Sequence, residues 1–168
     1  MFKYGSFRNF IIKFFIGIIL FGFGLIYLIS LLTYSPNDPG YQNLNKDDVN
    51  NIVGIFGAYL SSYSLVFIGT LSYLFALFLT IEGCRFILGI PSRLIILKFL
   101  SNLFGIIIIN VSSKLIGIIY LKTGLVSEII IDLFLFINLN FFENTFIFFI
   151  INFLLLIIGI FLVFVSFR

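Results

Sequence analysis

The sequence predicts an all-α membrane protein with four transmembrane helices and two short outer helices, which are either interfacial or half-inserted. Two observations predict this class: 61% of the 168 residues are hydrophobic and 10% are charged, and the mean hydropathy is +1.24. A soluble domain is roughly 45–50% apolar and about 25% charged, and a fold of this size has too little interior to bury so much apolar surface. A disordered chain would need low hydropathy and high net charge instead.

The first part of the chain contains one span and a polar loop. Residues 1–13 are basic and are predicted to be a cytoplasmic N-terminus. Residues 14–33 carry no charge and have the length of about 20 apolar residues that a spanning helix needs. The turn-forming residues 34–40 end this helix. We therefore interpret 34–63 as a periplasmic loop that contains a short apolar helix at Ile52–Leu60.

The middle of the chain is interpreted as a second span and a tight turn. No charge occurs between Val49 and Ile81, and this run is too long for one perpendicular span. The serine-rich cluster Ser61–Ser64 divides it, which places the second span at 64–88. Pro91 then marks a cytoplasmic turn at 89–93.

The third span, 94–120, has two possible ends. If its helix stops near Ser113, then Lys114 lies at the interface, and this arrangement is favoured. If the helix continues to Tyr120, Lys114 needs a partner or must extend its ammonium group to the interface.

The last part of the chain begins with an amphipathic segment. Glu128 and Asp132 are four residues apart and share a helical face, so 121–143 is interpreted as a periplasmic surface helix and loop. The uncharged residues 144–167 form the fourth span, and Arg168 follows it.

Lysine and arginine predict the orientation, because they are enriched in short cytoplasmic segments. One side collects Lys3, Arg8, Lys13, Arg85, Arg93, Lys98 and Arg168, and the other collects Lys46, Lys114 and Lys122. This split places both termini and the turn at 85–93 in the cytoplasm. Glu82 lies three residues before Arg85, and we interpret it as half of a helical ion pair in preference to a proton carrier.

Three stripes of small or polar residues are candidates for helix packing, because lipid gives helices no hydrophobic reason to associate. They are Ser72, Ala76, Thr80 and Cys84; Thr145, Asn152, Gly159 and Ser166; and Gly54, Ala58 and Ser62. Asn152 is near the middle of its span and should face another helix, since an unpaired amide is costly there. The stripes either hold one bundle together or, in one case, join protomers of a homo-oligomer.

The sequence lacks the residues that most catalytic and binding chemistry requires. It has no histidine and one cysteine, which excludes the usual zinc sites and a disulfide within the chain. It has no Gly-x-x-x-x-Gly-Lys-Ser/Thr loop, and its basic residues form no stripe for phosphates. We therefore predict that the chain has no catalytic residue, cofactor or metal and makes no direct contact with nucleic acid. Its predicted partner is the lipid bilayer. A small transporter or channel subunit remains the alternative, because the two halves repeat one pattern.

Three segments carry a family resemblance. Residues 31–40 read Leu-Leu-Thr-Tyr-Ser-Pro-Asn-Asp-Pro-Gly, residues 51–60 read Asn-Ile-Val-Gly-Ile-Phe-Gly-Ala-Tyr-Leu, and the second span ends in Gly-Cys-Arg at 83–85. In order and spacing these resemble the N-terminal four-span membrane domain of the FtsK/SpoIIIE DNA translocases. The residues of this chain that fall on the family's pattern include Asp38, Pro39, Gly54, Gly57 and Ala58.

The resemblance implies a division-site anchor. In this family the membrane domain sits at the septum, supports the assembly of division proteins and tethers a hexameric ATP-driven DNA pump. This chain alone would anchor and scaffold, without motor activity. From the residues themselves, Asp38 is expected to accept backbone N–H groups in its turn, which is a structural role.

Overall fold

The structure, a computed structural model, describes residues 4–41, 43, 49–90, 94–118, 121–136 and 145–168. The helices are α1 (Tyr4–Leu32), α2 (Gly54–Phe67), α3 (Ser72–Ile87), α4 (Ile95–Ile116), α5 (Leu125–Phe136) and α6 (Thr145–Phe167). Within the described ranges the β-structure is confined to one isolated bridge, between Gly69 and Thr123. The predicted all-α membrane fold is confirmed. Lys3, Lys46, Pro91 and Arg93, which entered the sequence predictions, lie outside the described residues.

Among the described residues, three helices are long and apolar enough to cross a membrane, at Arg8–Leu32, Ile95–Ile116 and Phe146–Phe167. Helix α3 has 16 residues, which gives a length of about 24 Å. It lies antiparallel to α1, since Gly83 is next to Phe21 and Thr80 is next to Gly24. Because α3 follows α1 through the same apolar layer, the protein has about four spans.

Four of the helices form two tightly packed pairs, and in each pair glycine allows the two backbones to approach closely. In the pair of α1 and α3, the backbones meet where Gly24 faces Thr80 and Gly83 faces Phe21. In the pair of α4 and α6, they meet where Gly105 faces Gly159. Tyr27, Leu31, Ala76, Phe78 and Leu79 form the buried core of the first pair, and Ile106, Ile109 and Val163 form that of the second. Close approach at small residues is the usual way in which helices associate in lipid.

The boundary between the short helix and the second span lies further along the chain than predicted. Helix α2 begins at Gly54 and continues through the serine cluster to Phe67. The hydroxyls of Ser61 and Ser64 donate to the carbonyls of Gly57 and Leu60 at 2.8 and 2.6 Å. Both hydroxyls are therefore hydrogen-bonded within α2, and the serines do not interrupt the helix. The break comes instead at Gly69, whose φ of +81° is a conformation that suits glycine.

The third span ends between the two predicted positions. Helix α4 continues past Ser113 to Ile116 and stops at Gly117, which has φ 80°. The N–H of Ile118 donates to the carbonyl of Ser113 at 2.9 Å, a pattern typical of a glycine-terminated helix. Lys114 therefore lies inside the last turn of α4, and it finds a partner on α5, Glu128, at 2.6 Å.

The bundle has two chemically different ends. Lys13, Arg85, Lys98 and Arg168 lie at the basic end. Two contacts show this: Phe10 of α1 is beside Gly89, and Arg85 contacts the carbonyl of Phe167. At the loop end lie the connections from α1 to α2 and from α4 to α5. A backbone contact joins the two halves at the loop end, where the N–H of Thr70 donates to the carbonyl of Lys122 at 2.9 Å.

Candidate membrane-anchoring surface and its polar clusters

The basic end contains a buried ionic cluster that joins three helices. Glu82 of α3 is fully buried and pairs with Arg85 at 2.6 Å and with Lys98 of α4 at 3.0 Å. The second guanidinium nitrogen of Arg85 donates to the carbonyl of Phe167 at the end of α6. The spacing of Glu82 and Arg85 predicted their pairing. The contribution of Lys98 could not be predicted, since it comes from another helix.

This cluster is suited to fixing helices relative to one another. A buried carboxylate is tolerated only when it is paired and hydrogen-bonded, and here two cations surround it. A cation at the C-terminal end of a helix also interacts favourably with the unsatisfied carbonyls there, as Arg85 does with α6. The cluster thus connects the pair of α1 and α3 with the pair of α4 and α6.

At the loop end, Asp38 organises the turn that follows α1. The carboxyl oxygen Oδ1 accepts the backbone N–H of Asn50 at 2.8 Å and its side-chain amide at 3.2 Å. Asp38 and Pro39 are both buried, and Gly40 lies against Ser62 of α2. Asp38 therefore accepts a backbone N–H, but from Asn50, the far side of the loop, and not from its own turn.

The start of α2 is held on the end of α1 by Asn51, which the sequence reasoning did not single out. Its amide donates to the carbonyl of Ser30 at 2.8 Å, and its side-chain oxygen accepts the N–H of Val53 at 3.1 Å. Gly54 has φ +73° and open space around it, whereas Gly57 lies against Asn51 and Ser30. Ala58, one residue further along, is fully buried. Gly57 thus allows the close contact of α2 with the end of α1, whereas Gly54 takes no part in it.

Several members of the two other stripes lie at the contacts within the helix pairs. Ser72 and Ala76 are fully buried, and Thr80 meets Gly24. On α6, Gly159 lies against Gly105 and Ile109 of the same chain. Asn152 is buried, and its amide donates to the carbonyl of Phe148 in its own helix at 2.9 Å. Cys84 is half-buried. The hydroxyl of Ser166 accepts a hydrogen bond from the amide of Asn102 at 2.9 Å. The Thr145 side chain is outside the described part of the structure.

Sequence reasoning missed two groups of residues that hold the pairs together. The first comprises the partner glycines Gly17, Gly24, Gly83 and Gly105. The second comprises Asn102 and Asn110, both buried on α4. An available signal for the second group was the presence of two carboxamides within an otherwise apolar span, where polar groups are expected to bond across helices.

The outward faces of the long helices expose many large apolar side chains. Ile19 of α1, Ile96 of α4 and Phe164 of α6 expose 72%, 74% and 71% of their surface. At the loop end, Tyr41, Tyr63 and Phe67 form a ring cluster with centroids 5.9–6.2 Å apart, as is typical of aromatic residues at a membrane interface. Across the described ranges, no three His, Cys, Asp or Glu side chains are grouped to hold a metal ion.

This arrangement defines an integral membrane anchor, in which apolar helices expose their side chains to lipid and the buried carboxylate of Glu82 is paired with two cations inside the bundle. The chain belongs to the FtsK/SpoIIIE family, because residues 11–149 match the family model described as the 4TM region of DNA translocase FtsK/SpoIIIE. The matched region is the membrane domain and not the motor, and the chain is an inner-membrane protein.

Among curated proteins, the chain is similar to the DNA translocase FtsK of Rickettsia prowazekii (strain Madrid E). The two are 35% identical over 66 residues, which covers 39% of this chain and 9% of the relative. The chain therefore corresponds to a small part of that protein. No solved structure matches the chain.

Proposed function

We propose that this chain anchors an FtsK-type DNA translocase in the inner membrane at the division septum, in the service of cell division and chromosome partition. The observation that carries the proposal is the family match over residues 11–149. The folded turn around Asp38 supports it, since that turn is built from the motif that resembles the family. The anchor holds the motor near the closing septum, and the motor itself lies outside the matched region.

We further propose that the anchor acts as a scaffold. Its partners would be division proteins and further copies of the same chain, and its contact with DNA would be indirect. The exposed apolar faces of α1, α4 and α6 offer surface for helix association within the membrane, and the loop end offers surface outside it.

A fluorescent fusion tests the septal placement. We expect the chain, with a fluorescent protein fused to its N-terminus, to form a band at midcell in dividing cells. The reason is the family resemblance, which implies that the membrane domain is placed at the septum. An unrelated four-span protein with the same tag, expressed to the same level, is the control and should outline the whole cell. An even outline from this chain would contradict the proposed function.

We propose an orientation with the basic end in the cytoplasm, since lysine and arginine favour that side. Exposed Lys13 and Lys122 mark the two ends. In a Cys84→Ser background, Lys122→Cys should react with a membrane-impermeant maleimide in spheroplasts, whereas Lys13→Cys should react only after the membrane is opened. Labelling of Lys13→Cys in closed spheroplasts would reverse the topology.

A further inference from the structure

The ionic cluster at the basic end carries more positive than negative charge. Nη1 of Arg85 and Nζ of Lys98 both donate to the same oxygen, Oε1 of Glu82, at 2.6 and 3.0 Å. The side chain of Glu82 is fully buried, whereas Arg85 and Lys98 keep 24% and 15% of their side-chain surface exposed. The carboxylate therefore lies beneath two cations, and these three charges leave an excess of positive charge at the surface of the bundle.

The rest of the described chain adds to this excess and does not cancel it. The other described carboxylates, of Asp38, Glu128 and Asp132, lie in the turn after α1 and on α5, at the opposite end of the bundle. Arg168 is exposed and directly follows Phe167, whose carbonyl accepts from Arg85. Uncompensated charge in a partly buried site is unfavourable, so the cluster attracts an anion from outside the bundle.

The two cations of the cluster have N–H groups left for such an anion. An ammonium group has three donors and a guanidinium group has five. Among the described residues, Lys98 donates to Glu82, and Arg85 donates to Glu82 and to the carbonyl of Phe167. Both side chains are partly exposed, so their remaining donors are open to a ligand at the surface. The planar guanidinium group also matches the geometry of phosphate oxygens.

The exposed neighbours of the cluster are hydrocarbon side chains. Leu88 follows the last turn of α3, Leu97 is adjacent to Lys98 on α4, and Phe164 lies one turn before Arg168; all three are strongly exposed. A ligand that fits must offer an anionic group to the cations and apolar chains to these residues. A phospholipid with a net negative headgroup has both parts, and basic pockets between transmembrane helices bind such headgroups.

We propose that Arg85, Lys98 and Arg168 form a binding site for one anionic phospholipid. Its phosphodiester accepts from the cations, and its acyl chains lie against the exposed apolar side chains beside them. The three cations come from α3, from α4 and from the residue after α6, so the bound lipid contacts both helix pairs. They are far apart in sequence, and only the fold brings them together. The inference does not depend on septal placement, since it concerns one lipid at one end of the bundle.

Bromine quenching of a single tryptophan tests the site, because the chain contains no tryptophan. Leu97→Trp places the fluorophore at an exposed position beside Lys98, and a short neutral tag after Arg168 keeps a terminal carboxylate away from the site. The vesicles are phosphatidylcholine with an equal fraction of brominated phosphatidylglycerol or brominated phosphatidylcholine. Quenching should show about tenfold stronger binding of phosphatidylglycerol, as basic side chains at an anionic headgroup provide. Tyr63→Trp, at the loop end, should show no preference.

Two variants with the same change of charge distinguish a site from general attraction to a basic surface. Arg168→Gln should lower the preference at Leu97→Trp about fivefold, which is the effect of one basic side chain near an anionic lipid. Lys13→Gln removes the same charge from an exposed position on α1 and should leave the preference unchanged. Lys98→Gln should act like Arg168→Gln, with helix content checked by circular dichroism. Because Arg168 is exposed, its variant gives the result even if Lys98→Gln fails to fold.

Several results would overturn the proposal. Equal quenching by the two brominated lipids at Leu97→Trp would mean that the cluster has no preference for an anionic headgroup. Equal losses from Lys13→Gln and Arg168→Gln would mean diffuse attraction to the whole basic end. If glycerol phosphate added in solution removed the preference, the cations would bind free phosphate esters and not a lipid.

Discussion

Replacing Glu82 with glutamine is expected to lower the free energy of unfolding by about 3–5 kcal/mol, which is the usual cost of removing one partner of a buried ion pair. Glu82 is fully buried and accepts from both Arg85 and Lys98. Without its charge, two cations remain in a largely dehydrated site and repel each other. The variant should unfold at a lower fraction of denaturing detergent in bicelles, with helix content followed by circular dichroism.

The exposed ion pair of the same protein provides a matched control. Lys114 and Glu128 are 2.6 Å apart, with 38% and 44% of their side chains exposed. Glu128→Gln should cost less than about 1 kcal/mol, since exposed pairs contribute little. Combining Glu82→Gln with Lys98→Met should recover part of the loss, because one unpaired cation is removed. Equal losses at Glu82 and Glu128 would contradict the structural role of the buried cluster.

The approximate number of spans was predictable because charged residues separate the apolar runs of the chain. Lys13, Arg85, Lys98 and Arg168 all lie near the end of an apolar run, and the structure brings them to one end of the bundle. The pairing of Glu82 with Arg85 was predictable for the same local reason, since three residues separate them on one helix. Such local features depend only on how many residues separate two positions, and this number can be read from the sequence.

The boundaries within the long uncharged segment could not be predicted from residue types alone. Ser61 and Ser64 suggested a break, yet their hydroxyls bond to carbonyls of their own helix. The real break at Gly69 depends on a distant contact, because a side chain there would collide with the carbonyl of Lys122. Gly69 also has φ +81°, so its backbone conformation and this distant contact both favour glycine just after the end of α2.

The packing stripes identified surfaces but not their partners. Gly159 was recognised as a close-packing position, and the structure shows that it faces Gly105 of the same chain. A periodic stripe indicates which face of a helix is small, but not which helix lies against it. The partner depends on topology, which here pairs α1 with α3 and α4 with α6.

The glycine contact between α1 and α3 leads to the second large expected effect. A methyl group placed on Gly24 would lie 2.6 Å from the backbone nitrogen of Thr80. Backbone atoms cannot rotate away as a flexible side chain can, so Gly24→Leu can be accommodated only if the two helices separate. We expect a loss of about 3 kcal/mol, at the upper end of the usual cost of overpacking, measured as the shift in detergent-induced unfolding.

Gly22 offers a control on the same helix, because a methyl group there would meet nothing within 4 Å. Gly22→Leu should leave stability unchanged or raise it by up to about 1 kcal/mol, since leucine favours the helical state over glycine. Both variants add the same side chain to α1, so hydropathy and helix propensity cancel in the comparison. What remains is the distance between α1 and α3. If Gly24→Leu were as stable as Gly22→Leu, the antiparallel contact of Gly24 with Thr80 would not be what holds the first helix pair together.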